Sequence, residues 1–332
     1  MLEVTNSKNT KNGDADGVGG NGKVYFVTGA DGRIGRTLIP FLLKHSTRVN
    51  ALVTSKNRIL NLPRGSTPYV GTLNDTAVLD EACAGVDTIF HLAGNVSSYK
   101  SPIKELINSN VTGVKNVIEA AERHGVKHFI FASSIDVYGS NRKDVLTENS
   151  KLRPTDPYGY SKMLAEDAII GFKTVPYTIF RIATIYGPNF EGSFFKVFSA
   201  IKSGSARIVG NGKNRMPLIH IYDVMQAFML ADSKEASKYN IYNLSDGNIY
   251  TQEYLFNLAA DLLNVPRPTK RISLKFLAKL LGKYKGLDSD ELRFLLSNRT
   301  VDISKIKQEL GFNPLVNIVD GAKEIIKKFS ER

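Results

Sequence analysis

A single cysteine, Cys83, occurs among the 332 residues. An intramolecular disulfide is therefore excluded, and the scarcity fits a reducing compartment. Long apolar runs are missing as well: nothing approaches the roughly 18 to 20 apolar residues that a membrane-spanning helix needs. A basic start followed by an apolar core is also absent, so the reading expects no secretory signal and a cytoplasmic protein. Carboxylates are the minority charge, 32 Asp+Glu against 44 Lys+Arg, which leaves a formal charge of +12. Such an excess can draw nucleic acid, anionic lipid or a phosphorylated small molecule. The cations are densest around Arg267–Lys285 and Arg299–Lys328, mixed with apolar residues rather than packed into one block. No recognised nucleic-acid motif accompanies them. They read as solvated surface, with no nucleic-acid partner.

What is present suits a globular chain: 42% of residues are hydrophobic and 23% charged, close to the averages for such proteins. The length exceeds one usual domain, so one large domain with a smaller lobe is expected. Residues 1–22 are rich in Asn, Gly, Asp and Lys and bury too little to repay their ordering entropy, so a disordered tail is expected there. From Lys23 onward, apolar runs recur at Val24–Val27, Val49–Val53, Thr88–Leu92, His128–Phe131 and Tyr177–Ile182. Helical periodicity separates most of them, notably over Ile103–Arg123 and Tyr160–Phe172. Strands apolar on both faces, alternating with helices, predict an α/β fold with a doubly wound parallel sheet. This dinucleotide-binding domain is expected over 23–185. A smaller, mostly helical substrate lobe is expected over 186–332, interleaved with late strands at Ile219–Ile221 and Tyr239–Leu244. Leu274–Lys285 is basic and amphipathic, with Lys275, Lys279 and Lys283 on one face. Packing against the small lobe is the reading taken, over rest on a membrane surface.

The first run leads into Thr28-Gly29-Ala30-Asp31-Gly32-Arg33-Ile34-Gly35. Between a strand and an amphipathic helix, this pattern points to a dinucleotide pyrophosphate. Gly29 permits the tight turn, Gly32 the approach of backbone to phosphate, and Gly35 close packing of helix on sheet. The helix start then presents free N–H groups to the phosphates. At the end of the second strand an NAD site usually carries a carboxylate for the ribose 2′-hydroxyl. Here that region reads Thr54-Ser55-Lys56-Asn57-Arg58. Hydroxyls and cations suit a 2′-phosphate, with Arg33 assisting, so NADP is favoured over NAD.

Tyr158 and Lys162 lie four apart at the start of a helical stretch and so share one face. A nearby ammonium favours the phenolate, which equips Tyr158 for proton exchange while a nicotinamide exchanges hydride. Ser134 ends the Phe129–Ser134 stretch, where strand ends face the ligand crevice; it is placed at the reacting oxygen, with Ser133 supporting the loop.

Together these motifs resemble the NAD-dependent epimerase/dehydratase branch of the extended short-chain dehydrogenase/reductases, over about residues 23–330. The series continues through Gly71-Thr72-Leu73, His91-Leu92-Ala93-Gly94, Asn110-Val111-Thr112-Gly113, Tyr186-Gly187-Pro188, His220–Val224 and Leu310–Pro314. The resemblance implies a Rossmann-type fold, Tyr158 as acid/base with Lys162 and Ser134, and a homodimer built on the helices around Ile103–Arg123 and Tyr160–Phe172. It places Thr72 and Leu73 beside the adenine, and Leu92, Ala93 and Gly94 along the nicotinamide. Asn110, Ser133 and Ile182 complete the cofactor set, and Lys162 also holds the ribose. Thr184, Phe194 and Arg215 fall where relatives hold a nucleotide-sugar diphosphate. No metal ligand is assigned. Dehydratases of this branch place two adjacent carboxylates after the catalytic Ser/Thr; here stand Ile135 and Asp136, which argues against 4,6-dehydration. The resemblance thus implies redox chemistry or epimerisation on a nucleotide-activated sugar. Two other functions stay open: reduction of a hydrophobic alcohol or ketone of sterol or flavonoid type, and non-catalytic dinucleotide sensing.

Overall fold

The structure is a computed structural model that describes residues 22–96, 102–273 and 297–331. The tail expected over 1–22 lies, apart from Gly22, outside the described residues, and so does the Leu274–Lys285 segment. Seven parallel strands form the central sheet: β1 (Lys23–Thr28), β2 (Ser46–Val53), β3 (Thr67–Val70), β4 (Thr88–His91), β5 (His128–Ser134), β7 (Tyr177–Ile182) and β11 (Asn240–Leu244). Their order is β3-β2-β1-β4-β5-β7-β11. The chain thus builds outward from β1 in one direction, then returns to build in the other. This reversal opens a crevice above the carboxyl ends of β1 and β4, where open α/β sheets bind ligands.

Apolar residues on both faces explain why these segments pair inside a sheet. Tyr25, Val27, Phe90, Ile130 and Phe180 pack on one side with Leu38, Ile39 and Phe228. Those last three belong to helices α1 (Arg33–Leu42) and α7 (Ile221–Ser233). Phe26, Ile89, Phe129 and Phe131 face the other way, against Leu79, Val114, Val117, Ile118, Ala165 and Ile169. Helices α2 (Thr76–Cys83), α4 (Gly113–Arg123) and α5 (Pro157–Gly171) supply that layer. Cys83 is buried within it as a free thiol.

The smaller lobe is mostly helical. Phe195, Phe198, Ile201, Phe256, Ala259, Ile318 and Ile325 form its core. They come from α6 (Glu191–Lys202), α8 (Gln252–Leu262) and the last helix, Ile318–Ser330. Short parallel pairs complete the chain: β8 (Thr184–Tyr186) with β10 (Leu218–His220), β9 (Ile208–Val209) with β12 (Arg271–Ile272), and β6 (Asn141–Leu146) with β13 (Asn298–Val301). No helix among the described residues is long and apolar enough to cross a membrane.

Three boundaries matter for the site. Strand β5 reaches Ser134 and is buried throughout, because Ala132 and the two serines pair with Phe180–Ile182 of β7. Helix α5 starts at Pro157, three residues ahead of the Tyr160–Phe172 periodicity: the Asp156 carboxylate accepts the Gly159 N–H at 2.9 Å and caps it. Asp before Pro is a favoured helix start, and it places Tyr158 in the first turn. The helix expected across Ile103–Arg123 widens into a π-turn at Asn108–Thr112, a feature often found at functional positions.

Candidate active site

Gly29 turns the chain out of β1 with φ +65°, and a Cβ there would lie 2.8 Å from the Ala93 nitrogen. Only glycine lets this turn and the loop after β4 approach so closely. A Cβ on Gly35 would meet the Gly29 carbonyl oxygen at 2.5 Å, so α1 is seated directly on the turn. The N-cap of α1 is Gly32, without a side-chain cap, and its first turn carries no carboxylate. Its leading N–H groups are therefore available to an anion. This cradle fits a dinucleotide pyrophosphate.

The turn opens on a cleft of about 450 Å³. Gly29, Gly32, Arg33, Ile34, Gly35, Leu92, Gly94, Ser133, Ser134, Tyr158, Ile182, Thr184 and Phe194 all line it. Residues from six separate stretches of sequence thus meet in one place. Asn110 and Lys162 stand behind the wall, 1% and 4% exposed. The π-turn directs Asn110 inward, where its Oδ1 accepts the Asn95 N–H at 2.7 Å. Its Nδ2 donates to the Asn95 carbonyl and to Ser161 Oγ, both at 2.9 Å. A Cβ on Gly94 would sit 3.2 Å from Asn110 Oδ1 and 3.5 Å from Lys162 Nζ. The glycine admits both side chains to the edge of the cleft.

Lys162 Nζ donates to the Ala132 carbonyl at 2.8 Å and lies 5.9 Å from the centre of the Tyr158 ring. Burial pushes the ammonium down to about 8, and the Glu166 carboxylate one turn along the helix opposes that shift. Glu166 is itself clasped by Arg181, whose Nη2 donates to Oε2 at 2.7 Å. The Ser133 hydroxyl donates to the other Glu166 oxygen and is committed there, although its residue borders the cleft. His91 lies beneath, its Nδ1 3.1 Å from Thr28 Oγ1. Burial first and then the Lys162 charge push that imidazole down to about 3, so it is neutral.

The remaining candidates lie apart from this lining. Thr54, Ser55 and Lys56 are exposed at the carboxyl end of β2. Nearby, Arg58 forms an ion pair with Asp31 of the glycine turn. The Thr72 N–H and hydroxyl both donate to the Asp75 carboxylate, and Leu73 packs against Gly113. Ala93 donates its N–H to Thr28 Oγ1 at 3.2 Å. Arg215 is outside the cleft lining, and its guanidinium reaches the Lys143 carbonyl.

The sequence reading missed part of the wall. Val96, Asp136, Ile185, Phe190, Ser297 and Arg299 all line the cleft. Arg299 corrects the expectation that the cations of its region are solvated: it is 6% exposed and paired with Asp136 at 2.8 Å. Arg181, outside that region, is buried too, at 3% exposed. No local pattern marks Arg299, since apart from Ser297 its side-chain partners lie about 160 residues earlier. Asp136 stood two residues beyond Ser134 and was the more legible of the two.

A profile of the NAD dependent epimerase/dehydratase family matches residues 25–245.

The chain belongs to this family.

Among its relatives is the N-acetyl-alpha-D-glucosaminyl-diphospho-ditrans,octacis-undecaprenol 4-epimerase of Escherichia coli O157:H7. That protein is 27% identical over 71% of this chain and 76% of its own length. The 4-hydroxy-2-methyl-3-oxo-4-farnesyl-3,4-dihydroquinoline-1-oxide ketoreductase of Stigmatella aurantiaca is 29% identical over 67% of this chain and 68% of its own. Among solved structures, MoeE5 in complex with UDP-glucuronic acid and NAD superposes with a TM-score of 0.75. It shows 25% identity over 94% of this chain and 99% of the other.

Proposed function

We propose that this chain is an NAD(P)-dependent oxidoreductase or epimerase acting on a nucleotide-activated sugar, with Tyr158, Lys162 and Ser134 as its catalytic group. One observation carries the reading: the phosphate cradle at Gly29–Gly35, the Ser134 hydroxyl and the Tyr158 phenol border a single cleft, with Lys162 directly behind. A relative named as a UDP-glucose 4-epimerase and the solved MoeE5 complex with UDP-glucuronic acid and NAD support it.

In this reading the first turn of α1 holds the pyrophosphate, Arg33 assists at the 2′-phosphate, and Leu92, Gly94 and Ile182 border the nicotinamide, which when bound supplies the hydride acceptor or donor. Tyr158 holds the proton that the reacting sugar oxygen gains or loses. Lys162, anchored on Ala132, keeps positive charge beside the phenol and stabilises its anion. Ser134 hydrogen-bonds the same sugar oxygen. Thr184 and Phe194 flank the sugar and its diphosphate. Arg58, beside exposed Thr54, Ser55 and Lys56 and with no carboxylate ending β2, favours NADP over NAD. Arg215 reaches the diphosphate only if it leaves the Lys143 carbonyl. A homodimer through the α4 and α5 layer completes the proposal.

A second reading replaces the sugar by a hydrophobic ketone. Val96, Ile185, Phe190 and Phe194 give the outer cleft an apolar wall, and the Stigmatella relative is named for a farnesylated substrate. Native mass spectrometry of the purified protein, followed by turnover assays with UDP-sugars and with prenylated ketones, separates the two. Retained dinucleotide with turnover of a UDP-sugar supports the first. Turnover of the prenylated ketone alone transfers the assignment to the second.

A further inference from the structure

Arg299 is the second residue of β13, at the point where that strand's register with β6 shifts. The irregularity turns its side chain away from the ladder into the concave side of the turn that follows β5. There Nη1 donates to the Ile135 carbonyl at 3.1 Å, the Gly139 carbonyl at 3.3 Å and Asp136 Oδ1 at 2.8 Å, while Nε donates to Ser297 Oγ at 3.1 Å. The other carboxylate oxygen of Asp136 accepts the Ser134 hydroxyl at 3.1 Å, and Ser134 Oγ accepts the Asp136 N–H at the same distance. From the opposite side α5 presses on this turn: a Cβ on Gly159 would lie 2.5 Å from the Asp136 carbonyl oxygen. Arg299, Asp136 and Ser134 are thus joined by hydrogen bonds, and all three line the same cleft as Tyr158.

We propose that Arg299 is a positioning residue that sets the direction of the Ser134 hydroxyl through Asp136, an inference resting on the catalytic reading of Ser134 given above. A hydrogen bond to an ionised carboxylate is about twice as strong as one between neutral groups. An uncompensated Asp136 would hold the serine proton for itself. The guanidinium on Oδ1 draws off part of that charge, so Ser134 can turn its O–H to a substrate oxygen when one arrives. Ser134 thus rests on Asp136 and is released to the substrate. Arg299 reaches this point from the carboxyl-terminal part of the chain, which couples the late strand β13 to the chemistry at β5.

The test is a double-mutant cycle on the full chain. Arg299→Gln should lower kcat by about tenfold or more, with the dissociation constant for the dinucleotide changed less than about twofold. Adding Asp136→Asn removes the uncompensated carboxylate and should recover at least half of the lost factor on a logarithmic scale. A merely structural arginine would give a loss that Asp136→Asn leaves in place or deepens, and that result overturns the proposal. Should Arg299→Gln not fold, Arg299→Lys keeps the charge without the guanidinium that reaches four acceptors. It should lower kcat at least about threefold, and an unchanged kcat overturns the proposal. Ser134→Ala belongs in the same assay: if it is as active as the parent, the catalytic reading itself fails, whereas a slow Ser134→Ala beside a fully active Arg299→Gln sinks only the role of Arg299.

Discussion

Lys162 donates a 2.8 Å hydrogen bond to the carbonyl of Ala132, two residues before Ser134 on β5. This bond ties α5 to the strand that bears the serine and so fixes the separation between Tyr158 and Ser134. The ammonium uses a backbone acceptor rather than a carboxylate as its direct partner. Its charge therefore stays uncancelled at contact distance and remains effective toward the phenol.

A buried ammonium has consequences for stability. Lys162 titrates at about 8 in the native protein, below the ordinary range near 10.4 to which it returns on unfolding. Between these values the unfolded chain binds more protons, so the Lys162 contribution makes the native state more stable as pH rises. Urea unfolding of the parent and of Lys162→Met from pH 7 to 10 should show the parent gaining on the variant, by up to about 3 kcal/mol. Parallel curves would mean that the ammonium is not desolvated.

Glu166 and Arg181 form an ion pair with side chains 1% and 4% exposed. Glu166→Leu leaves a buried guanidinium without its carboxylate and should cost about 3–5 kcal/mol in denaturant unfolding. Arg181→Met in the same chain should restore a large part of that loss. A Glu166→Leu variant as stable as the parent would contradict the burial of the pair.

In the proposed reading cofactor preference turns on Arg58, which pairs with Asp31 of the glycine turn. If a 2′-phosphate draws Arg58 from that pair, Arg58→Ala should weaken NADPH binding by about tenfold, near 1.4 kcal/mol, and leave NADH within about threefold. Fluorescence titration of both dinucleotides checks this. Tighter binding of NADH by the parent, by tenfold or more, would reverse the preference.

Cys83 is buried, and desolvation pushes its thiol up to about 12. Thiolate is the reactive form, so the native protein should resist iodoacetamide at pH 8 and react only after unfolding. Mass spectrometry after brief exposure reports the outcome; rapid native alkylation would show that the thiol is accessible.

Much of the scaffold was legible because its signals are local. The alternation of Tyr25, Phe26 and Val27 between two helical layers, and the glycines at 29, 32 and 35, each declare themselves within a few residues. The Tyr158–Lys162 spacing works in the same way once Asp156–Pro157 starts the helix. The cleft's far wall was not legible. Arg299 reaches Asp136 across about 160 residues of sequence, at a register shift between two short strands, and no periodicity encodes such a contact. Arg181 sits in an otherwise apolar strand, and only the folded arrangement shows that Glu166 neutralises it. Arg215 illustrates the converse: a cation in a promising stretch whose guanidinium turns to the Lys143 carbonyl instead of the cleft.

The central claim is that the phenol of Tyr158 moves the proton, beside a dinucleotide that the glycine turn would hold and that would supply the hydride acceptor or donor. Single-turnover kinetics of Tyr158→Phe, alongside its dinucleotide dissociation constant, tests it most directly. The chemical step should slow by about 10²–10⁴-fold, with dinucleotide binding within about twofold of the parent. A variant that turns over at the parental rate would contradict the account.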